Sequence, residues 1–509
     1  MTDPTHELRT QDENTPLLSS GDTPPASILG PKKPGKLRVL VITSILVLAV
    51  DFGLYLTIVP QTDIFENIIC RNYLANTNQP TPAVPPVNLC KSEPVQSELA
   101  LVNGWKETFD VLPGIVLSVP YGILADKWGR KPVITLGMLG IILGECWVRI
   151  ICLYSNILPL RLVWVSGVWR IVGGGDLTLT SIALAMVADL FSGDEMATAL
   201  FRLNSVAILA EILATPVSAS LMRYNAWLPF MLGLGISILG SFAVVFLPES
   251  LADAQANTCS SAILGEEEEG SELVSAKRDM PKYLKSKVRA VRDSSRFLFN
   301  PPGMISPLFA LFITSLGKQS TTLLLQYSSM KFDWSLASSS FLVSLRGAVT
   351  MASFLFLMPG LSSWITHYLH LHGKWKDLWL SQGTSLISGI GFFIVAITTS
   401  PVILVIGMIF LSFGAGFPVT CRSFVTSLVP PDHVGRLYSA ITAAMSVGVV
   451  ASGPFLAYAF SLGLRLGSLW IGLPFLLASV AYFLGYIALS RLQIPWGAHP
   501  AEEQEPLVP

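Results

Sequence analysis

Charged side chains inside long apolar runs are the residues of this sequence that could do chemistry. If such a run crosses a bilayer, a charge near its middle costs about 2.5 to 3.5 kcal/mol, so it needs a partner, water or a ligand. A carboxylate there can also carry a proton, because a low-dielectric surrounding favours its neutral form. Twelve positions qualify: Asp51, Lys106, Glu107, Asp110, Glu145, Arg149, Arg170, Asp176, Glu211, Lys318, Arg346 and Arg422.

Spacing assigns several of these charges to structural roles. Glu145 and Arg149 stand four residues apart and can neutralise each other on one helix face. Lys106 and Asp110 have the same spacing near the end of a run, which favours a solvated pair. Arg422 lies close enough to the end of its run for solvation. Six residues remain as candidates for the path of a solute or proton: Asp51, Arg170, Asp176, Glu211, Lys318 and Arg346.

Two of these carboxylates are candidate proton carriers. Asp51 and Lys318 occupy similar depths in their runs, which suggests an ion pair that parts when a solute or proton binds. Glu211 is the second candidate carrier, since it lies within an apolar run. Arg170 could instead pair with a neighbouring carboxylate through helix packing alone.

The composition explains why these residues belong to a membrane. The chain has 509 residues and only 13% are charged, against about 25% in soluble domains. Hydrophobic residues make up 51% and the net charge is -1. These values exclude an ordinary soluble enzyme and a basic nucleic-acid surface.

Twelve runs of about 20 mostly apolar residues predict an all-α membrane protein with twelve transmembrane helices. They lie near residues 37–60, 99–122, 132–154, 160–188, 199–221, 226–247, 304–326, 339–362, 379–398, 402–426, 435–461 and 468–490. Most Lys and Arg residues fall on the side of the termini, which predicts that both termini are cytoplasmic.

The polar segments divide the chain into five parts. These are a tail (1–36), a six-helix bundle (37–248), a linker (249–302), a second six-helix bundle (303–490) and a second tail (491–509). The first tail contains an acidic dileucine pattern, Glu13 to Leu18, which is typical of vacuolar or lysosomal sorting but also occurs in plain tails. Plasma and vacuolar membranes therefore both stay open.

The cysteines predict at most one disulfide. Only Cys70 and Cys90 fall in the first exoplasmic loop, which we expect over residues 61–98. An oxidising compartment could pair them there. His367, His370 and His372 favour an interfacial helix over a metal site, and no cofactor or metal is expected.

The two halves carry a weak repeat. An offset of 238 residues aligns Gly122 with Gly360, Asp194 with Asp432, and Pro216 with Pro454. Such a repeat predicts two similar bundles with the solute path between them.

One motif between the second and third runs carries a family resemblance. Gly122, Asp126, Gly129, Arg130 and Lys131 form the pattern Gly-x-x-x-Asp-x-x-Gly-Arg-Lys. Glycine permits close helix approach and a sharp turn at these positions, and the Asp126 carboxylate suits the positive end of a helix. In this pattern, its loop number and the span count, the chain resembles the major facilitator superfamily, over roughly residues 37–490.

The resemblance implies that this loop is a latch between two rocking bundles. Within the superfamily the chain is most similar to fungal multidrug or solute permeases, with a distant likeness to the animal folate and haem carriers. Thr215-Pro216 replaces the Gly-Pro pair of proton antiporters, and Trp364 occupies the position equivalent to Asp126 in the second half. The first departure argues against drug/proton antiport, and the second makes the latch one-sided.

These features predict a secondary active transporter that moves a small organic solute by alternating access. No phosphate-binding Gly-x-x-x-x-Gly-Lys-Ser/Thr loop occurs, so a gradient, by default of protons, supplies the energy. The expected partners are the solute, the lipid bilayer and protons, and the chain is expected to act as a monomer. The alternative is a receptor, or transceptor, that senses a solute without moving it. No nucleophile/base pair supports an enzyme.

Overall fold

The structure is a computed structural model that describes residues 36–77, 87–190, 194–247, 305–368, 373–429, 434–468 and 470–492. Within these ranges the chain is helical and contains no strand. The predicted tails, with the dileucine pattern at Glu13 to Leu18, and the predicted linker lie outside the described residues.

In the described ranges, twelve main helices follow the predicted spans in order. They are α1 Lys36–Asn76, α2 Glu93–Trp128, α3 Arg130–Leu153, α4 Gly175–Leu190, α5 Asp194–Met222, α6 Trp227–Ser241, α7 Ile305–Phe332, α8 Leu336–Ala352, α9 Lys374–Ile397, α10 Pro401–Phe413, α11 Val434–Leu466 and α12 Leu473–Ser490. Shorter helical pieces extend some of these, including Met358–Tyr368 after α8 and Phe417–Ser427 after α10.

The number of spans depends on how two interrupted segments are counted. Among the described residues, ten helices are long and apolar enough to cross a membrane, or eleven if the two parts of the bent α2 count as one. The segment predicted as the fourth span is broken into two shorter apolar helices, Leu160–Trp169 and Gly175–Met186. The count of twelve therefore stays a prediction.

Three consecutive glycines cause the break in the fourth segment. Gly173, Gly174 and Gly175 have φ values of 85°, 79° and 72°. Side chains with a Cβ rarely adopt this left-handed conformation, and it cannot continue a right-handed helix. Arg170 thus stands just before a turn inside the bundle.

Two halves pack side by side. We call residues 36–247 the N-terminal half and residues 305–492 the C-terminal half. In the N-terminal half α1 packs on α5 and α6, and in the C-terminal half α9 packs on α10 and α12. Between the halves the largest contacts are α2 with α11 and α5 with α8. In the predicted repeat α2 corresponds to α8, and α5 corresponds to α11. The two contacts are therefore equivalent, as the repeat requires.

The contact between α2 and α11 depends on a pair of glycines. A Cβ on Gly104 would lie 2.8 Å from the Gly453 carbonyl oxygen, and one on Gly453 would lie 2.6 Å from the Gly104 oxygen. Thr108 adds a hydrogen bond of 3.2 Å to the Val450 carbonyl. The two helices can cross this closely only where both residues lack a side chain.

The expected loop over residues 61–98 is mostly helical. Helix α1 continues past Pro60 to Asn76, a short helix spans Val87–Cys90, and α2 begins at Glu93. The α1 extension buries one apolar face, with Phe65 and Leu74 among the covered residues, against α2 and α3. Burial of that face explains why α1 continues beyond the apolar run that is long enough to cross a membrane.

Candidate functional site

A cavity of about 670 Å³ lies between the two halves. Helices α1, α2 and α5 contribute Tyr55, Glu107 and Glu211 to its wall, and α7 and α8 contribute Lys318 and Arg346. The wall also has long apolar stretches between these polar groups. Such a cavity has the size and mixed chemistry of a small-molecule site.

Four of the six residues predicted for the solute path line this cavity. They are Arg170, Glu211, Lys318 and Arg346. Asp51 and Asp176 are not among the lining residues. The predicted ion pair between Asp51 and Lys318 is not formed between these two described residues in this conformation.

Arg346 and Glu211 form an ion pair across the boundary between the halves. Glu211 stands on α5 and its side chain is 10% exposed, whereas Arg346 on α8 is 30% exposed. One turn away, the hydroxyls of Thr215 and Ser344 join the same two helices. The sequence identified both charges as candidates, but not as partners of each other.

Glu107 contacts the opposite half through a neutral group. Its carboxylate accepts a hydrogen bond from the Gln319 amide on α7. Lys318, the residue next to Gln319, projects an exposed side chain on the cavity wall and forms no ion pair with a described carboxylate. Among the described residues, Glu107 and Lys318 are therefore the two lining charges that form no ion pair.

Arg170 is the centre of a buried cluster in the N-terminal half. Its guanidinium pairs with Asp110 at 3.3 Å, with Glu145 at 3.6 Å, and with Asp176. The Arg170 side chain is 6% exposed. Three carboxylates around one buried guanidinium hold the turn after Arg170 against α2 and α3.

Two further pairs complete this cluster. Glu145 and Arg149 bind each other at 2.8 Å, as their spacing predicts, and Arg149 also donates to the Phe230 carbonyl at 2.7 Å. Lys106 and Asp110 bind at 2.8 Å, but each side chain is only 9% exposed. The prediction of a solvated Lys106–Asp110 pair was wrong, because α3 and the turn at Arg170 cover it.

The predicted latch loop is largely exposed in this conformation. Asp126 pairs with Arg130 at 2.8 Å, and the Asp126 side chain is 57% exposed. Gly129 has a φ of 107° and makes the sharp turn between α2 and α3. Lys131 donates to the Val245 carbonyl at 2.6 Å. These contacts all lie within the N-terminal half.

The close helix approach expected at Gly122 is absent here. A Cβ on Gly122 would meet no atom within 4 Å, and the same holds for Gly360, its partner in the repeat. A latch between the halves at this loop would therefore form in another conformation.

Two other expectations concern the C-terminal half. Arg422 is half-buried rather than solvated, and its guanidinium contacts the Met445 sulfur at 2.9 Å. His367 lies beside Tyr368, while His370 and His372 fall outside the described residues. In the part of the chain that is described, no three His, Cys, Asp or Glu side chains are placed so that they could hold a metal ion together.

Polar contacts also join the halves at the end of the bundle that holds Cys70 and Cys90. These two cysteines form a disulfide, with their Cα atoms 5.0 Å apart. Nearby, the Gln326 amide donates to the Gln96 carbonyl at 2.6 Å, and Gln96 donates to Glu66 at 2.6 Å. We call this end the disulfide end, and the opposite end, with Asp126, the motif end.

Two further contacts cross the boundary at the disulfide end. Arg465 pairs with Glu93 at 3.3 Å on the surface. Lys91 donates to the carbonyls of Ser329 and Trp334, both at 2.9 Å. No local pattern in the sequence indicates these contacts, since their partners lie more than 200 residues apart.

Comparisons with known proteins agree with this architecture. The family model described as Major Facilitator Superfamily matches residues 95–453. The MFS-type transporter avaK of Aspergillus versicolor is 34% identical over 90% of this chain and 93% of its own length. The MFS efflux pump atnC of Emericella nidulans is 33% identical over 98% and 95%, and the efflux pump ustT of Aspergillus flavus is 33% identical over 85% and 83%.

Solved structures share the fold at low identity. The xylose transporter XylE from E. coli, in a partially occluded inward open conformation, has a TM-score of 0.57 and 13% identity over 91% of this chain and 100% of its own. The human organic anion transporter MFSD10 has a TM-score of 0.53 and 16% identity over 90% and 100%.

Proposed function

The chain belongs to the Major Facilitator Superfamily, and we propose that it is a secondary active transporter that exports a small organic solute by alternating access. The central cavity carries this proposal, since both halves contribute charged groups to one wall of a space about 670 Å³ in volume. The relatives named as efflux pumps align along most of this chain, which supports export over uptake.

The cross-half contacts explain how the cavity can change its access. In the described residues they lie around the cavity and at the disulfide end, whereas the motif loop is exposed. We assign the motif end to the cytoplasm and the disulfide end to the exoplasmic side, following the distribution of Lys and Arg. The conformation then offers its cavity to a cytoplasmic solute, and release requires the exoplasmic contacts to part.

The energy source in this proposal is a proton gradient, although Thr215-Pro216 replaces the Gly-Pro pair of drug/proton antiporters. Asp51, half-buried on α1, and Glu211, bound to Arg346, are the proposed carriers. If protons act there, Asp51→Asn and Glu211→Gln each flatten the pH dependence of transport. Glu98→Gln is the matched control, because Glu98 pairs with exposed Arg161 outside the cavity. Unchanged pH dependence in both cavity variants would remove these residues from the coupling mechanism.

We further propose that the protein acts as a monomer in the plasma or vacuolar membrane, with both termini in the cytoplasm. Transport rather than catalysis is its activity, as for the transporters it resembles.

An untargeted metabolite comparison tests the export of a solute. Cells with and without the protein are compared in medium, cytosol and vacuole, and cells with an Arg346→Met variant at equal membrane abundance serve as the control. Export predicts at least one metabolite that leaves the cytosol only with the wild-type protein. Identical profiles would contradict export.

Reconstitution in proteoliposomes distinguishes a transporter from the alternative, a transceptor. A transporter in proteoliposomes accumulates the labelled metabolite from the comparison when a proton gradient is applied. A sensor binds the metabolite but moves none of it across the membrane.

A further inference from the structure

Lys91 occupies an unusual position at the disulfide end. It belongs to the N-terminal half, between the short helix Val87–Cys90 and α2, yet both of its acceptors lie in the C-terminal half. Ser329 stands in the last turn of α7, and Trp334 stands in the turn that leads to α8. The Lys91 ammonium thus satisfies the Ser329 carbonyl, which the end of α7 leaves without an intrahelical donor, and also the Trp334 carbonyl in the following turn.

The surroundings of Lys91 make the contact specific. Burial lowers the pKa of Lys91, while the carboxylates of Asp333 and Glu66 oppose that shift. The Ser329 hydroxyl also donates to the Trp334 carbonyl at 2.7 Å, so the acceptors are held together. An ammonium group that has lost part of its hydration shell is strongly stabilised by hydrogen bonds to two carbonyl oxygens in fixed positions.

The disulfide determines where Lys91 can reach. Cys90 precedes Lys91 directly, and its bond to Cys70 fastens this residue to the extension of α1. The Gln96 amide donates to the Cys90 carbonyl at 3.0 Å and adds a tie to α2. Both cysteines are buried in the apolar cluster of that extension. Lys91 is therefore presented by a fixed platform rather than by a free loop.

We propose that Lys91, held by the Cys70–Cys90 disulfide, is a positioning residue of the transport cycle that keeps the exoplasmic side closed until its ammonium leaves Ser329 and Trp334. This proposal rests on the proposed function for the assignment of sides. It adds to the proposed function a lock at the disulfide end, opposite the motif loop. Opening of this lock is then a step on the route to solute release.

A buried reporter residue can measure the opening directly. Val59 is fully buried and packs with Leu325 and Leu336 from the other half. In a Val59→Cys protein whose Cys146, Cys152, Cys259 and Cys421 are replaced by alanine, a membrane-impermeant maleimide added to the exoplasmic face of sealed vesicles labels the introduced cysteine only when this side opens. Lys91→Met keeps the apolar stem but removes the donors, so we expect labelling to accelerate about tenfold, the loss expected for a charged hydrogen bond.

Two matched variants separate the lock from a general effect. Lys91→Arg restores donors to the carbonyls and is expected to label at a rate near that of Lys91. Arg71→Met changes a cation of the same region that binds Ser155 within its own half at 2.9 Å, and should leave labelling unchanged. Equal labelling of the Lys91→Met and Lys91 proteins would overturn the proposal.

A separate experiment tests whether the disulfide acts through Lys91. Replacing Cys70 and Cys90 by serine should accelerate labelling as Lys91→Met does, and combining the changes should add little, because both act on one contact. Fully additive effects would show that the disulfide does not act through Lys91 and would overturn that part of the proposal.

A second reporter excludes simple unfolding. Ala415 lines the cavity in the short helix Gly414–Gly416, which follows α10 towards the motif end. In inside-out vesicles, labelling of Ala415→Cys should slow in the Lys91→Met protein, because opening one side closes the other. Faster labelling at both reporters would indicate misfolding and would contradict a lock. Neither measurement uses a solute, so this proposal and the export proposal fail independently.

Discussion

The guanidinium of Arg346 on α8 binds the carboxylate of Glu211 on α5, and this ion pair bridges the two halves at the wall of the central cavity. Both groups belong to the pair of helices that makes one of the two main contacts between the halves. Any rocking of the halves must displace the two charges relative to each other.

We predict that removing one partner of this ion pair lowers the stability of the protein more than removing both partners does. Arg346→Met leaves Glu211 as a nearly buried carboxylate without a cation, at a cost of about 1 to 3 kcal/mol after allowance for the partial exposure of Arg346. Arg346→Met combined with Glu211→Leu should recover membrane abundance and thermal stability. Additive losses in this double-mutant cycle would show that the two charges are not coupled.

The buried cluster around Arg170 should dominate the stability of the N-terminal half. Arg170→Ala removes one of the three cations that balance Asp110, Glu145 and Asp176. Lys106 and Arg149 remain, but the cluster then holds one uncompensated negative charge, and we expect a loss of about 3 to 5 kcal/mol. Arg161→Ala is the control, since Arg161 also forms an ion pair, with Glu98 at 2.8 Å, but its side chain is 64% exposed. Thermal unfolding in detergent should show a large fall for the first variant and almost none for the second.

The sequence predicted those parts of the molecule that depend on neighbours along one helix. The apolar runs located the helices to within a few residues at most ends, and the spacing of Glu145 and Arg149 predicted their pair. Both follow from periodicity, which a single helix determines.

Contacts between helices could not be predicted in the same way. Asp110 lies 60 residues from Arg170, and Glu211 lies 135 residues from Arg346, so their pairing depends on packing angles that no local pattern encodes. The extension of α1 past Pro60 was missed because its apolar face is covered by other helices. The three glycines at residues 173–175 are visible in the sequence. They lie within an apolar segment of membrane-spanning length, however, so the break in the helix was not predicted.

The glycines at the crossing of α2 and α11 should tolerate no side chain. Gly453→Ala places a methyl group 2.6 Å from the backbone oxygen of Gly104, which neither helix can avoid without moving. We expect a destabilisation of about 1 to 3 kcal/mol.

The control for this change is Gly383→Ala on α9. A Cβ on Gly383 meets no atom within 4 Å, so alanine should raise stability by up to about 1 kcal/mol through helix propensity. Membrane abundance and the midpoint of thermal unfolding distinguish the two. Equal effects would show that the close approach of Gly104 and Gly453 is not required for folding.

Asp126 should matter for transport and hardly at all for stability. In the present conformation its carboxylate is exposed and pairs with Arg130 on the next turn, a type of pair worth about 0 to 1 kcal/mol. When the cytoplasmic side closes, the same carboxylate can approach the N-terminal end of a helix from the other half, an interaction of up to about 2 kcal/mol in partly buried sites. Asp126→Asn should therefore slow transport by about tenfold at unchanged abundance. Lys127→Gln is the control, because Lys127 is exposed in the same turn but lies outside the motif pattern. Wild-type kinetics in Asp126→Asn would mean that this loop does not act as a latch.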